Sequence, residues 1–192
     1  MHGYVVSTLV FLGMVTVTSA VMSAPRDTSK RIEIPVQGLD AERGPNVERA
    51  LRVLESEGKP HVKVLAEVEV DVEKGSLSLL VTPGQSLRLK QVERALNATN
   101  VRIQGDRFAL GASRIVFEGE VGEDVLEKLK TALTTDLFAS AEVRREEDPP
   151  RLVADVVPGE DPAMLDSAAK AARSVSPKLR IADVVWSRPK AR

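Results

Sequence analysis

The chain has 192 residues, of which 43% are hydrophobic and 29% charged, enough apolar material for one or two modest globular domains and too much for a wholly disordered chain. Its 27 basic residues nearly balance its 28 acidic ones, for a net charge of -1, so nothing marks a polyanion as partner and nucleic acid is not expected. The absence of cysteine excludes disulfides, thiolate metal sites, iron–sulfur clusters, c-type haem attachment and a cysteine nucleophile, and two histidines with 3% aromatics leave little material for a small-molecule pocket.

From Met1 to Ala24 there is no Lys, Arg, Asp or Glu, and the apolar run around Val5 to Val21 ends in the small residues Ser19, Ala20, Ser23 and Ala24. Residues 1–24 therefore read as an export signal, with Thr18 and Ala20 fitting cleavage after Ala20, although a basic n-region is missing. A retained N-terminal membrane anchor is the rival, since about 20 apolar residues can span a bilayer. Export to the periplasm, cell envelope or exterior rests on this segment alone.

Beyond it, Ile32, Ile34 and Val36 alternate with polar residues as in a half-buried strand. Pro35 conflicts with a central position for that strand, because its missing N–H breaks a ladder, and a bulge or early strand end is expected there. Val47, Ala50, Leu51 and Leu54 fall on one helix face, between Gly44-Pro45 and Gly58. Val62, Val64, Ala66, Val68, Val70 and Val72 take alternate positions of a long strand, which turns at Glu73-Lys74-Gly75 into Leu77, Leu79 and Val81. Ser86 offers an N-cap to a helix carrying Leu89, Val92 and Leu96, and Val101-Arg102-Ile103 completes the order β-α-β-β-α-β.

The order recurs from Arg114. Ile115 and Phe117 form a strand; Val125, Leu129, Ala132 and Leu133 a helix; Ala139, Ala141 and Val143 a strand; then, past Asp148-Pro149-Pro150, Leu152, Ala154 and Val156 another. Asp161-Pro162 opens a helix with Leu165, Ala168, Ala169 and Ala172, and Leu179 and Ile181 begin the last strand. Val81-Thr82-Pro83-Gly84 recurs as Val156-Val157-Pro158-Gly159, and Val101-Arg102-Ile103 as Leu179-Arg180-Ile181. The expectation is an α+β chain of two tandem ferredoxin-like (βαββαβ) sandwiches, over residues 30–104 and 113–188, with Gln104 to Ser113 as linker.

The stretch from Ile34 to Ile103, with VQGLDAERGPNVERAL, VEVDVEKGSLSLLVTPG and LKQVERALNATNVRI, resembles the heavy-metal-associated (HMA) domain of copper chaperones and P-type ATPase tails. In that family a Gly-Met-x-Cys-x-x-Cys loop between the first strand and helix holds a soft metal ion. Gly38 and Leu39 match the opening of the loop, while Ala41 and Gly44 stand where the cysteines would be and Pro45 falls in a loop one residue shorter. The resemblance covers the first repeat well and the second weakly. It implies the fold, and metal carriage only as ancestry.

Other chemistry is thinly supplied. His61 beside Pro60 reads as an exposed turn residue and Met164 as helix filler, so a soft metal has few ligands. Asp40 with Glu42, or Glu118, Glu120, Glu123 and Asp124, lack calcium-loop spacing and read as solvated acids near helix starts. No Gly-x-Ser-x-Gly elbow or phosphate loop is present, the glycines between Gly105 and Gly111 lacking the spacing. Arg188, Lys190 and Arg192 read as a loose basic tail, Arg144-Arg145-Glu146-Glu147 as a solvated hairpin tip and Trp186 as a ring packed under the sheet. No catalytic, cofactor-binding or metal residue is assigned, and no cofactor is expected. The function expected is an exported, non-enzymatic binding protein on a degenerate HMA-like scaffold, engaging an unknown protein partner or its own copy through sheet edges or helix faces. The alternative is metal ion binding or trafficking, as in the HMA family, through non-cysteine ligands or with a partner.

Overall fold

A computed structural model of the chain describes residues 31–119 and 122–190, so the apolar segment 1–24 lies outside the described residues. They form a mixed α+β structure. In chain order the elements are β1 (Arg31–Gln37), α1 (Gly44–Arg52), β2 (Glu55–Ser56), β3 (Lys59–Lys63), β4 (Leu65–Asp71), β5 (Ser76–Val81), β6 (Ser86–Arg88), α2 (Leu89–Asn97) and β7 (Arg102–Ile103). There follow β8 (Ala109–Leu110), β9 (Ser113–Glu118), α3 (Glu123–Asp136), β10 (Phe138–Glu147), β11 (Pro150–Pro158), β12 (Ala163–Met164), α4 (Leu165–Val175) and β13 (Arg180–Ser187). The larger sheets run β4-β5-β1-β7 and β10-β11-β9-β13-β6, with every pairing antiparallel.

The helical faces follow the spacing of the apolar residues. Val47 and Leu51 of α1, Leu89, Val92 and Leu96 of α2, and Val125, Leu129 and Leu133 of α3 are buried. In the first sheet Ile34, Leu77 and Leu79 are completely buried, as period-two alternation requires.

Three local readings change. The long strand expected from Val62 to Val72 is cut at Val64: β3 pairs with β2, β4 pairs with β5, and a bulge between Leu65 and Glu67 shifts the phase so that Leu65 is buried and Ala66 exposed. Ser86 does not cap α2 but lies in β6, its hydroxyl 2.7 Å from that of Ser187. Asp161-Pro162 does not open α4, which starts only after Ala163 and Met164 have paired with Leu110 and Ala109.

Pro35 neither ends β1 nor bulges it. The strand keeps β5 as partner through Pro35 and has β7 alongside only at Val36 and Gln37. Gln104 N–H still donates to the Pro35 carbonyl at 2.9 Å, but Pro35 has no N–H to return, and the Gln104 carbonyl instead accepts from Arg107 N–H at 3.2 Å. Pro35 thus stops the β1–β7 ladder and frees the acceptor that starts a turn.

That turn leads into the segment expected to be a linker, which is packed. Phe108 and Leu110 are fully buried, β8 pairs with β12, and Phe108 lies 5.7 Å from Trp186, itself only 5% exposed. β6, from the first half of the chain, pairs with β13 and extends the second sheet. Most buried apolar side chains of both halves form one continuous cluster, from which Val116 and Val153 of the second sheet are left out. Arg188, expected in a loose tail, continues the β6–β13 pairing: its carbonyl accepts from Gly84 N–H at 2.7 Å and its side chain donates to the Val81 carbonyl at 3.1 Å.

Asp183 sits at this junction, 6% exposed. Its Oδ1 accepts from Lys90 N–H at 3.2 Å and from Val184 N–H at 2.9 Å. Lys90 is the second residue of α2, so a carboxylate on β13 satisfies one of the four donors that a helix start leaves open. Replacing Asp183 by Ala is expected to cost about 1–2 kcal/mol, the usual size of a lost N-terminal cap. Phe108→Ala is expected to cost about 3–5 kcal/mol as a large core truncation, both read from chemical denaturation midpoints. Trypsin is expected to spare Arg107 in the folded chain, in a digestion followed by mass spectrometry.

Candidate functional site

The loop between β1 and α1 is built for its own closure. Gly38, at φ +83°, starts it, and the Asp40 carboxylate then accepts from Glu42 N–H at 3.1 Å and Arg43 N–H at 2.8 Å. Arg43 returns its guanidinium to Asp40 at 2.9 Å and to the Gly38 carbonyl at 3.0 Å. Asp40 is therefore committed to holding the loop. Gly44 is buried, and a Cβ on it would stand 3.1 Å from Cγ2 of Val72, so a side chain there requires Val72 to shift by a few tenths of an ångström.

The remaining metal-capable residues do not converge. His61, at φ 69°, keeps its side chain 93% exposed and has Glu55 3.9 Å away. Met164 lies in β12 rather than a helix, half-buried. Glu118 meets Lys90 at 3.9 Å and Arg180 at 3.8 Å, Asp124 pairs with Lys128 at 3.2 Å along α3, and Glu120 lies outside the described residues. Among the described residues no group of three or more His, Asp or Glu could hold a metal ion.

A different place concentrates apolar surface. Where the two sheets meet, a groove of about 460 Å³ is lined by Ile32 of β1, Leu110, Gly111 and Ala112 after β8, Pro158 and Pro162 around the β11–β12 turn, and Trp186 of β13. Glu33, Glu160 and Arg188 add both signs of charge to its lining, while the Arg31 guanidinium turns to Glu67 and Glu69 of β4. Pro35 shapes one wall. Because β7 stops opposite it, Arg31 and Glu33 turn their N–H and C=O groups, by the alternation of the β1–β5 ladder, along an edge that no strand occupies among the described residues. A free strand edge beside an apolar trough is the arrangement that accepts an extended peptide. Sequence reasoning assigned none of these residues a role, since it read Gln104 to Ser113 as a tether; the alternating Phe108 and Leu110 were the available sign of a short strand.

The open face of the second sheet carries charge instead. Asp155 on β11 holds the guanidinium of Arg114 at 2.8 Å and that of Arg144. Burial works to raise its pKa, but the two arginine hydrogen bonds and charges prevail and hold it below the ordinary aspartate range. Arg144 and Arg145, expected at a hairpin tip, lie within β10.

No family model matches the chain, and no curated protein matches it. A search of solved structures finds the water-soluble region of the P-type ATPase CopA from Bacillus subtilis, at 14% identity and a TM-score of 0.32, covering 80% of this chain and 91% of that one. Among the described residues no helix is long and apolar enough to cross a membrane.

The depressed pKa of Asp155 fixes the sign of a pH effect. The stability that its charge contributes is present above the unfolded-state aspartate pKa and lost as pH falls through the folded-state value. The melting temperature of the native chain is thus expected to exceed that of Asp155→Asn at neutral pH, with the gap closing towards strongly acidic pH in a thermal-unfolding series.

Proposed function

We propose that the chain is an exported, non-enzymatic binding protein of two ferredoxin-like units, residues 30–104 and 113–188, on an HMA-like scaffold that has lost cysteine-based metal binding. Its task is to hold a segment of a protein partner in the groove at the junction of the two units. The observation that carries this reading is the groove itself, with apolar walls and a strand edge at Arg31–Glu33 that no strand occupies among the described residues. Both sheets support the tandem arrangement, each running in the order second, third, first and last strand of its own half, with β6 added to the second. Ala41 and Gly44 in place of the family's cysteines, and Asp40 bound to its own loop, support the loss of metal carriage. The polar residues that line the groove, Arg31, Glu33, Glu160, Ser187 and Arg188, include no His to serve as a general base, which favours binding over enzymatic work.

The test has two arms. Calorimetric titration with Cu(I) and Zn(II) is expected to give no saturable heat, and stoichiometric binding at micromolar affinity or better returns the chain to metal handling. A photo-crosslinking residue at the exposed Ala112 is expected to trap a discrete envelope protein that the same probe at Thr131, on the far side of α3, does not. Equal trapping from both positions removes the groove as the binding site.

A further inference from the structure

The second sheet ends in β10, which at ten residues is the longest strand among the described residues and among them has β11 on one side only. Such an edge is a template for another strand unless its side chains forbid it. An antiparallel pair about a twofold axis normal to the sheet keeps each residue opposite one on the same face, so the axis passes through a residue and not between two. Along β10, an axis at Glu142, Arg144, Arg145, Glu146 or Glu147 sets that residue's charge against its own copy, and one at Arg144 also opposes Glu142 to Glu146. An axis at Ala141 or earlier leaves at most Ser140 to Glu142 clear of the bulge between Phe138 and Ser140, whereas one at Val143 leaves Ser140 to Glu146 clear of it. Only Val143 remains. There Val143 meets Val143, Glu142 meets Arg144 twice, Ala141 meets Arg145 and Ser140 meets Glu146.

We propose that a second copy of this chain pairs its β10 with β10 antiparallel about a twofold axis at Val143, joining the two sheets into one. Arg144 pairs with Asp155 within its own chain, and when it turns to the partner's Glu142, Asp155 keeps Arg114. The other long edge, β4, carries Glu67, Glu69 and Asp71 on one face, so any register pairing most of it with itself opposes acid to acid. β6 and β7 have three and two residues. The charges on β10 therefore act as a register code rather than a general barrier.

Sedimentation equilibrium of the purified chain is expected to show a reversible monomer–dimer equilibrium. Glu142→Arg is expected to weaken the dimer roughly tenfold, since two attractive cross-strand pairs become repulsive. Mixing Glu142→Arg with Arg144→Glu is expected to restore a heterodimer, because each Arg again faces a Glu. The chain has no cysteine, so Val143→Cys supplies a single thiol, expected to give a covalent dimer on mild oxidation where Ser140→Cys, opposed by Glu146, does not. This last arm holds even if Arg144→Glu fails to fold. A chain that stays monomeric at every concentration, open-ended assembly growing with concentration, or crosslinking equal at both positions overturns the proposal.

Discussion

The structure turns on a hydrogen bond between halves of the chain that are far apart in sequence, from Lys90 N–H at the start of α2 to the buried carboxylate of Asp183 on β13. A helix start needs acceptors, and α2 takes one from β13, some ninety residues away. The same junction pairs β6 with β13 and stacks Phe108 near Trp186. With these contacts in place, the two larger sheets share a single core, and the trough between them becomes a fixed surface feature rather than a gap between tethered modules.

Chemistry and architecture separate cleanly here. The β1–α1 loop spends its polar groups on one another, Asp40 accepting from Glu42 and Arg43 and receiving the Arg43 guanidinium in return. Among the described residues the fold leaves backbone without a strand partner at the β1 edge beside the groove and along β10. Unpaired N–H and C=O groups select for extended chain, whatever its side chains, while the neighbouring residues set register and affinity.

Much of this was legible in the sequence wherever a single periodicity ruled a segment. The helical spacing of Val47 and Leu51, or of Val125, Leu129 and Leu133, named the buried faces directly. Legibility failed where two constraints competed. Val64 and Leu65 are adjacent and both buried, which no strict alternation allows and a bulge does. Pro35 announced a broken ladder, yet not that the break would fall on β7 while the pairing with β5 continued. Ser86 had the chemistry of a cap and was taken into β6 by a strand about a hundred residues away, a contact invisible to local pattern. The candidate groove was hidden for the same reason, because its walls come from β1, β8, the β11–β12 turn and β13, and no stretch of sequence contains it.

The position of β6 also bears on how the chain reaches this state during synthesis. Residues 31–103 can close their own sheet as they emerge, but Leu87, completely buried in the finished fold, waits uncovered until β13 is made. Loop closure over such a distance is slow compared with local helix formation, so the first half passes through an interval with an apolar strand on offer and its second helix short of an acceptor. The last strand of the chain is thus also the element that completes the first half, and a polypeptide truncated before Arg180 loses part of the support for both.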